Sequence, residues 1–146
     1  MPTVPATTFS EVRSLLEDLG DRPEVRGAFD YGQILNHCAQ SIEYSMSGYP
    51  QLRSAIFRAT VGRVAKKKFL RQGFMQHDLE APILGAPLLA TGADVPTARK
   101  RLLAAMDALL STSGELAPHL AFGRCSREEY EKIHSMHIAE HLTRVS

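Results

Sequence analysis

Thiol chemistry has little to draw on in this chain. Only two cysteines occur in 146 residues. Cys38 and Cys125 are isolated and no CxxC pair exists, which excludes a disulfide framework. Either thiol could serve as a nucleophile, but Cys38 shares the apolar side of its segment with Ile34, Leu35, Ile42 and Met46 and reads as buried and structural. Long hydrophobic runs are also missing. "APILGAPLLA" is broken by proline and glycine, whereas a bilayer needs about 20 apolar residues. "MPTVPATTFSEV" has neither a basic start nor an apolar signal core, so a cytoplasmic location is the default. The net charge of +1 provides no global attraction to nucleic acid or membrane. No alternating strand pattern of useful length, internal repeat, Ser-His-Asp arrangement, phosphate-cradling glycine loop or paired-carboxylate signature is present.

What is present is helical. A hydrophobic content of 44% and a charged content of 23% are ordinary for a globular protein, and the length fits one domain over residues 1–146 with a real core. "TFSEVRSLLEDLG" offers Thr8 as an N-cap, Glu11 three residues on, and Gly20 as a stop. "DYGQILNHCAQSIEYSMSG" repeats the relation with Asp30 and Gln33 and ends at Gly48. A third helix is expected from near Pro50 through "QLRSAIFRATVGRVAKKKFLRQ", weakened at Gly62. "GFMQHDLEAPILGAPLLATGADVP" reads as a long Pro/Gly-rich connection, a class that is often functional or mobile. "TARKRLLAAMDALLSTSG" follows, with Pro96 before it and Gly114 after it. Ser126 and Glu129 then open the last helix. The expectation is all-α: a four-helix bundle of long helices, with a short leading helix and a long crossover.

That last helix, "EKIHSMHIAEHLTRVS", concentrates imidazoles. On a helical wheel His134, His137 and His141 share one face, flanked by Ile133, Ile138, Leu142 and Val145, while Glu128, Lys132, Ser135 and Thr143 lie opposite. The histidines therefore occupy the face that its apolar neighbours mark as buried. Spaced four apart, His137 and His141 can share one metal ion, as in sites with three protein ligands and an open position. Zinc-protease chemistry is disfavoured, because "HIAEH" carries Ile138 where that motif needs glutamate. A third ligand must come from elsewhere. His37, beside Ser41, Tyr44 and Gly48 rather than in the Ile34/Cys38/Ile42 stripe, fits either a ligand at a bundle edge or a solvated histidine.

"ILNHCAQSIEYSMSGYP", "PHLAFGRCSREEYEKIH" and "HIAEHL" together resemble the DinB-like (YfiT-like) putative metalloenzyme superfamily, within it the branch known as domain-of-unknown-function family 1569. The resemblance runs from about Thr8 to Arg144. It implies an up-down-down-up four-helix bundle and a metal site of His37, His137 and His141, with His134 as a neighbour. It also implies a small bacterial protein, a metal-dependent hydrolase or a thiol-dependent transferase or isomerase, acting on an unknown small molecule with a low-molecular-weight thiol as one option. Zinc or nickel leads among the metals, ahead of iron or manganese, since imidazole suits them all.

Other residues stay open. His119 and Tyr130 could contact the metal's surroundings or a substrate, as could Tyr44 and His134, while His77 and His119 could equally stabilise turns. Between Glu43 and Asp78 the chain is basic, from Arg53 to Arg71, with Arg63, Lys66 and Lys67 as anion-binding candidates. Leu52, Ile56, Val64 and Phe69 interleave with these charges, so a solvated helix face is the simpler reading, and nucleic acid the weakest. The alternative to an enzyme is a non-catalytic helical binding or stress-linked module, dimeric, with structural histidines.

Overall fold

In the computed structural model, which describes residues 5–146, the chain forms α1 (Phe9–Leu19), α2 (Tyr31–Ser47), α3 (Ala55–Ala59), α4 (Val61–Gln72), α5 (Val95–Ser111) and α6 (Arg127–Leu142). No strand occurs among the described residues, only isolated bridges at Val25–Val145 and His119–Gly123. None of these helices is long and apolar enough to cross a membrane. Residues 1–4 of the expected domain lie outside the described residues.

Capping chemistry sets the helix starts. The Thr8 hydroxyl accepts the Glu11 N–H at 3.2 Å. Asp30 and Gln33 close a reciprocal capping box on α2, and Ser126 and Glu129 close another on α6. The C-terminal glycines predicted for α1 and α2, Gly20 and Gly48, are the C-caps, both with positive φ.

Three boundaries differ from the sequence reading. The third segment is two helices, broken at Thr60, whose N–H bonds to the carbonyls of both Ile56 and Phe57. α5 starts one turn's cap earlier than expected: Asp94 accepts the Thr97 N–H at 3.1 Å, so Pro96 sits inside the first turn, where no donor is lost. It ends at Ser111 because Thr112 turns extended, before Gly114 is reached.

The leading helix is not peripheral. Phe9, Val12 and Leu16 of α1 join Leu35, Cys38 and Ile42 of α2, Leu102, Met106 and Leu109 of α5, and Tyr130, Ile138 and Leu142 of α6 in the main core. α4 instead presents Ala65, Phe69 and Leu70 to a second, smaller cluster of Met75, Phe122, Ile133 and Met136. The C-terminal tail is pinned beside α6: Glu24 N–H donates to the Ser146 carbonyl at 2.7 Å and Arg26 N–H to that of Arg144 at 2.8 Å.

Gly62 earns its place by close approach. A Cβ there would lie 1.8 Å from the Ala121 carbonyl oxygen, so the turn after His119 docks where a side chain would stand. Gly→Ala inside a helix ordinarily stabilises by about 1 kcal/mol. Here the sign reverses: Gly62→Ala should cost at least about 1–3 kcal/mol, as overpacking does. Denaturant melts of the two proteins would show it, and an unchanged or raised midpoint would contradict the packing described.

Candidate metal centre

α2 and α6 bring three imidazoles together. His37 and His141 are buried and His137 is half-buried. His137 Nε2 lies 3.3 Å from His37 Nε2 and 3.2 Å from His141 Nε2. A ligand nitrogen from each ring falls within 4.8 Å of the other two. The rings are tilted or edge-on, with centroids 4.7–5.1 Å apart, so their nitrogens, not their faces, meet.

Burial keeps these rings neutral. It pushes His37 down to about 4, with His77 adding to the effect. The same desolvation lowers His141 to about 2, aided by the neighbouring His37, His77 and Arg144. His137 is held well below the ordinary value by burial and then by the surrounding histidines. Neutral imidazole is the form that binds a transition metal, so proton competition is small near neutrality. The three side chains could hold one ion.

A fourth imidazole stands against the trio. His77 packs its ring, tilted or edge-on, with its centroid 4.8 Å from that of His137 and 5.3 Å from that of His141. Glu140 fixes it twice: one carboxylate oxygen accepts the His77 backbone N–H at 2.6 Å, and the other contacts Nδ1. A carboxylate on Nδ1 orients the ring and its tautomer, as outer partners do around metal sites. Sequence reading left His77 in a loop with a turn-stabilising role open. No one-dimensional period links residue 77 to 140. Only the folded connection between α4 and α5 brings them together.

The remaining candidates divide. His119 and His134 line a cavity of about 350 Å³ together with His37, His77 and His137. His119 also fastens its own turn, because Nδ1 accepts the N–H groups of Ala121 and Phe122 at 3.1 and 3.2 Å. His134 stacks on Tyr130 and places Nε2 3.2 Å from the Ser45 hydroxyl. Tyr130 donates its hydroxyl to the Ala117 carbonyl at 2.6 Å. Tyr44 meets Gln40 at 3.4 Å and packs on Tyr49. Neither tyrosine lines the cavity. Arg63 and Lys66 share a separate surface depression with Arg58 and Arg124, where the Lys66 ammonium already binds Glu129 at 3.2 Å. Lys67 is exposed outside it. Both cysteines are inert by environment: burial pushes the Cys38 thiol well up and that of Cys125 up to about 12.

The sequence model of a family described as "Protein of unknown function (DUF1569)" matches residues 6–146. No curated protein and no solved structure matches the chain.

Neutral buried histidines make stability depend on pH with a definite sign. The unfolded chain takes up protons near 6.5, whereas folded His37 resists until about 4, and His119 and His134, pushed down chiefly by burial, until about 3. The unfolded state thus binds more protons in that window. Stability is full above about pH 6.5 and falls as pH drops toward 4 and below, by up to about tenfold in folding equilibrium per histidine per pH unit. Urea midpoints of metal-free protein from pH 7.5 to 4 should decline steadily; a flat profile would mean these rings are not buried and neutral.

Proposed function

The chain belongs to the DUF1569 family of proteins of unknown function, and from that premise we propose that it is a metal-binding protein whose His37, His137 and His141 hold one divalent transition-metal ion, zinc or nickel first, iron or manganese next. The observation that carries this reading is the pair of Nε2 separations, 3.3 and 3.2 Å. Imidazoles bound to a tetrahedral ion at 2.0–2.1 Å stand about 3.3–3.4 Å apart, a spacing that two of the three pairs show, while the ligand nitrogens of His37 and His141 lie within 4.8 Å of each other. Hydrogen bonding accounts for the same geometry poorly. His137 Nε2 carries one proton or one lone pair, and it has two imidazole neighbours to serve. That weighs against a module with purely structural histidines.

The DinB-like, up-down-down-up arrangement belongs to the same proposal, as one domain with α1, α2, α5 and α6 as the bundle. Residue pairs support it. The start of α2 approaches the start of α5, where a Cβ on Gly32 would be 2.7 Å from the Ala93 carbonyl oxygen. Further along, Glu43 receives Arg101 at 2.6 and 3.0 Å. These two helices thus run the same way, which requires the long crossover between them. α6 runs against α2, pairing His134 with Ser45 and His137 with His37. Phe9 N–H donates to Glu131 at 2.9 Å, putting the start of α1 beside that of α6.

Such an ion supplies Lewis-acid activation of a water or a thiol when bound. The chain's own part is to present three neutral nitrogens, to leave the His137 side open to a cavity, and to hold His77 there through Glu140. A hydrolase or a thiol-dependent transferase or isomerase, bacterial and cytoplasmic, is the activity class that fits these means.

Elemental mass spectrometry of untagged protein should find near one equivalent of a transition metal, lost in His137→Ala/His141→Ala. A parent protein that stays empty after reloading with zinc and nickel would overturn the reading.

A further inference from the structure

The cavity beside the three histidines has a chemical character of its own. Its volume, about 350 Å³, lies in the range of small-molecule sites. Phe69, Met75, Ile83, Leu84, Phe122 and Ile133 make much of its wall. Three of these, Met75, Phe122 and Ile133, belong with Met136 to the second apolar cluster, on which Phe69 packs. The wall facing the cavity is thus continuous with a packed, ordered layer. Such a surface selects an apolar molecular body.

The polar side chains of the lining are Ser41, Arg53 and the five histidines, of which His77 faces a carboxylate of its own. Arg53 is the one arginine, lysine or carboxylate residue among the described lining residues. Its guanidinium lies 4.3 Å above the Phe57 ring, and its backbone N–H is tied to the Leu120 carbonyl at 2.8 Å. No carboxylate among the described residues forms an ion pair with it. An arginine positioned by backbone and ring, yet left without an anion, is ready to donate to a carboxylate.

We propose that this cavity binds a small organic anion with an apolar body: a carboxylate at Arg53, and a hydrocarbon or aromatic portion against the Phe69–Phe122–Ile133 wall that carries its other end toward His37 and His137. This names the substrate class of the metal site and rests on that reading only for the reacting end. The recognition itself uses protein groups that are present without metal. A strongly polar thiol would leave this wall unmatched and is disfavoured as its occupant.

Octanoate, with its chain and single carboxylate, is the probe. Isothermal titration calorimetry on metal-free and zinc-loaded protein should show octanoate binding to both, with acetate, octanol and octylammonium each at least about tenfold weaker. Arg53→Gln should lose about tenfold in octanoate affinity, and Arg53→Lys should recover part of it. Arg53 is exposed, and circular dichroism of each variant confirms that it is folded. Octanol binding as well as octanoate, or indifference to Arg53→Gln, overturns the proposal. So does octanoate binding that occurs only with zinc and ignores Arg53, since the carboxylate would then sit on the ion. Octanoate binding as expected in a protein that never takes up metal would leave the cavity assignment standing and remove the metal centre.

Discussion

Desolvation of imidazole is the constraint from which the rest of this site follows. Charged histidines could not be gathered with their nitrogens in contact inside a helical bundle, because each charge would lose its hydration and repel the others. Burial removes that conflict by holding the rings neutral. The price is a set of nitrogen lone pairs and protons that three rings cannot satisfy among themselves. Glu140 is directed to His77 and not to the three. The trio is thus left with electron pairs and no counter-charge, the condition under which a cation is attracted.

The helices around it were largely legible in the sequence, because helix starts are local chemistry. Thr8, Asp30 and Ser126 cap where their spacing says they should, and the histidine-bearing side of α6 is largely buried as its apolar neighbours imply, although Ser135 on the opposite side is buried too. His37 was harder. Its position beside Ser41 and Tyr44 on the wheel is compatible with solvent, yet it is only 3% exposed. The cover comes from elsewhere: Phe29 lies 6.0 Å from its ring, and His77 shares its cavity. Neither contact leaves a trace in the periodicity of α2.

Gly62 shows the opposite error. Within a helical pattern it reads as a weak point, yet its missing side chain is a contact surface for the Ala121 carbonyl. The same docking sets the turn that carries His119 and Phe122 into the cavity wall. α1 was similarly undervalued, because shortness in sequence says nothing about depth in the core. Both cases concern approach between segments distant in the chain, which composition and spacing do not encode.

The candidate ligands His37 and His137 lie 100 residues apart, with the cavity-forming connection between them. A nascent chain on the ribosome offers a single imidazole of the set until α6 emerges, and a single imidazole holds a metal weakly. Capture of an ion by all three rings would therefore come late, after the longest loop in the fold has closed. Three-ligand occupancy would then report on completed assembly, since a fragment carrying only α6 keeps the His137/His141 pair but lacks His37.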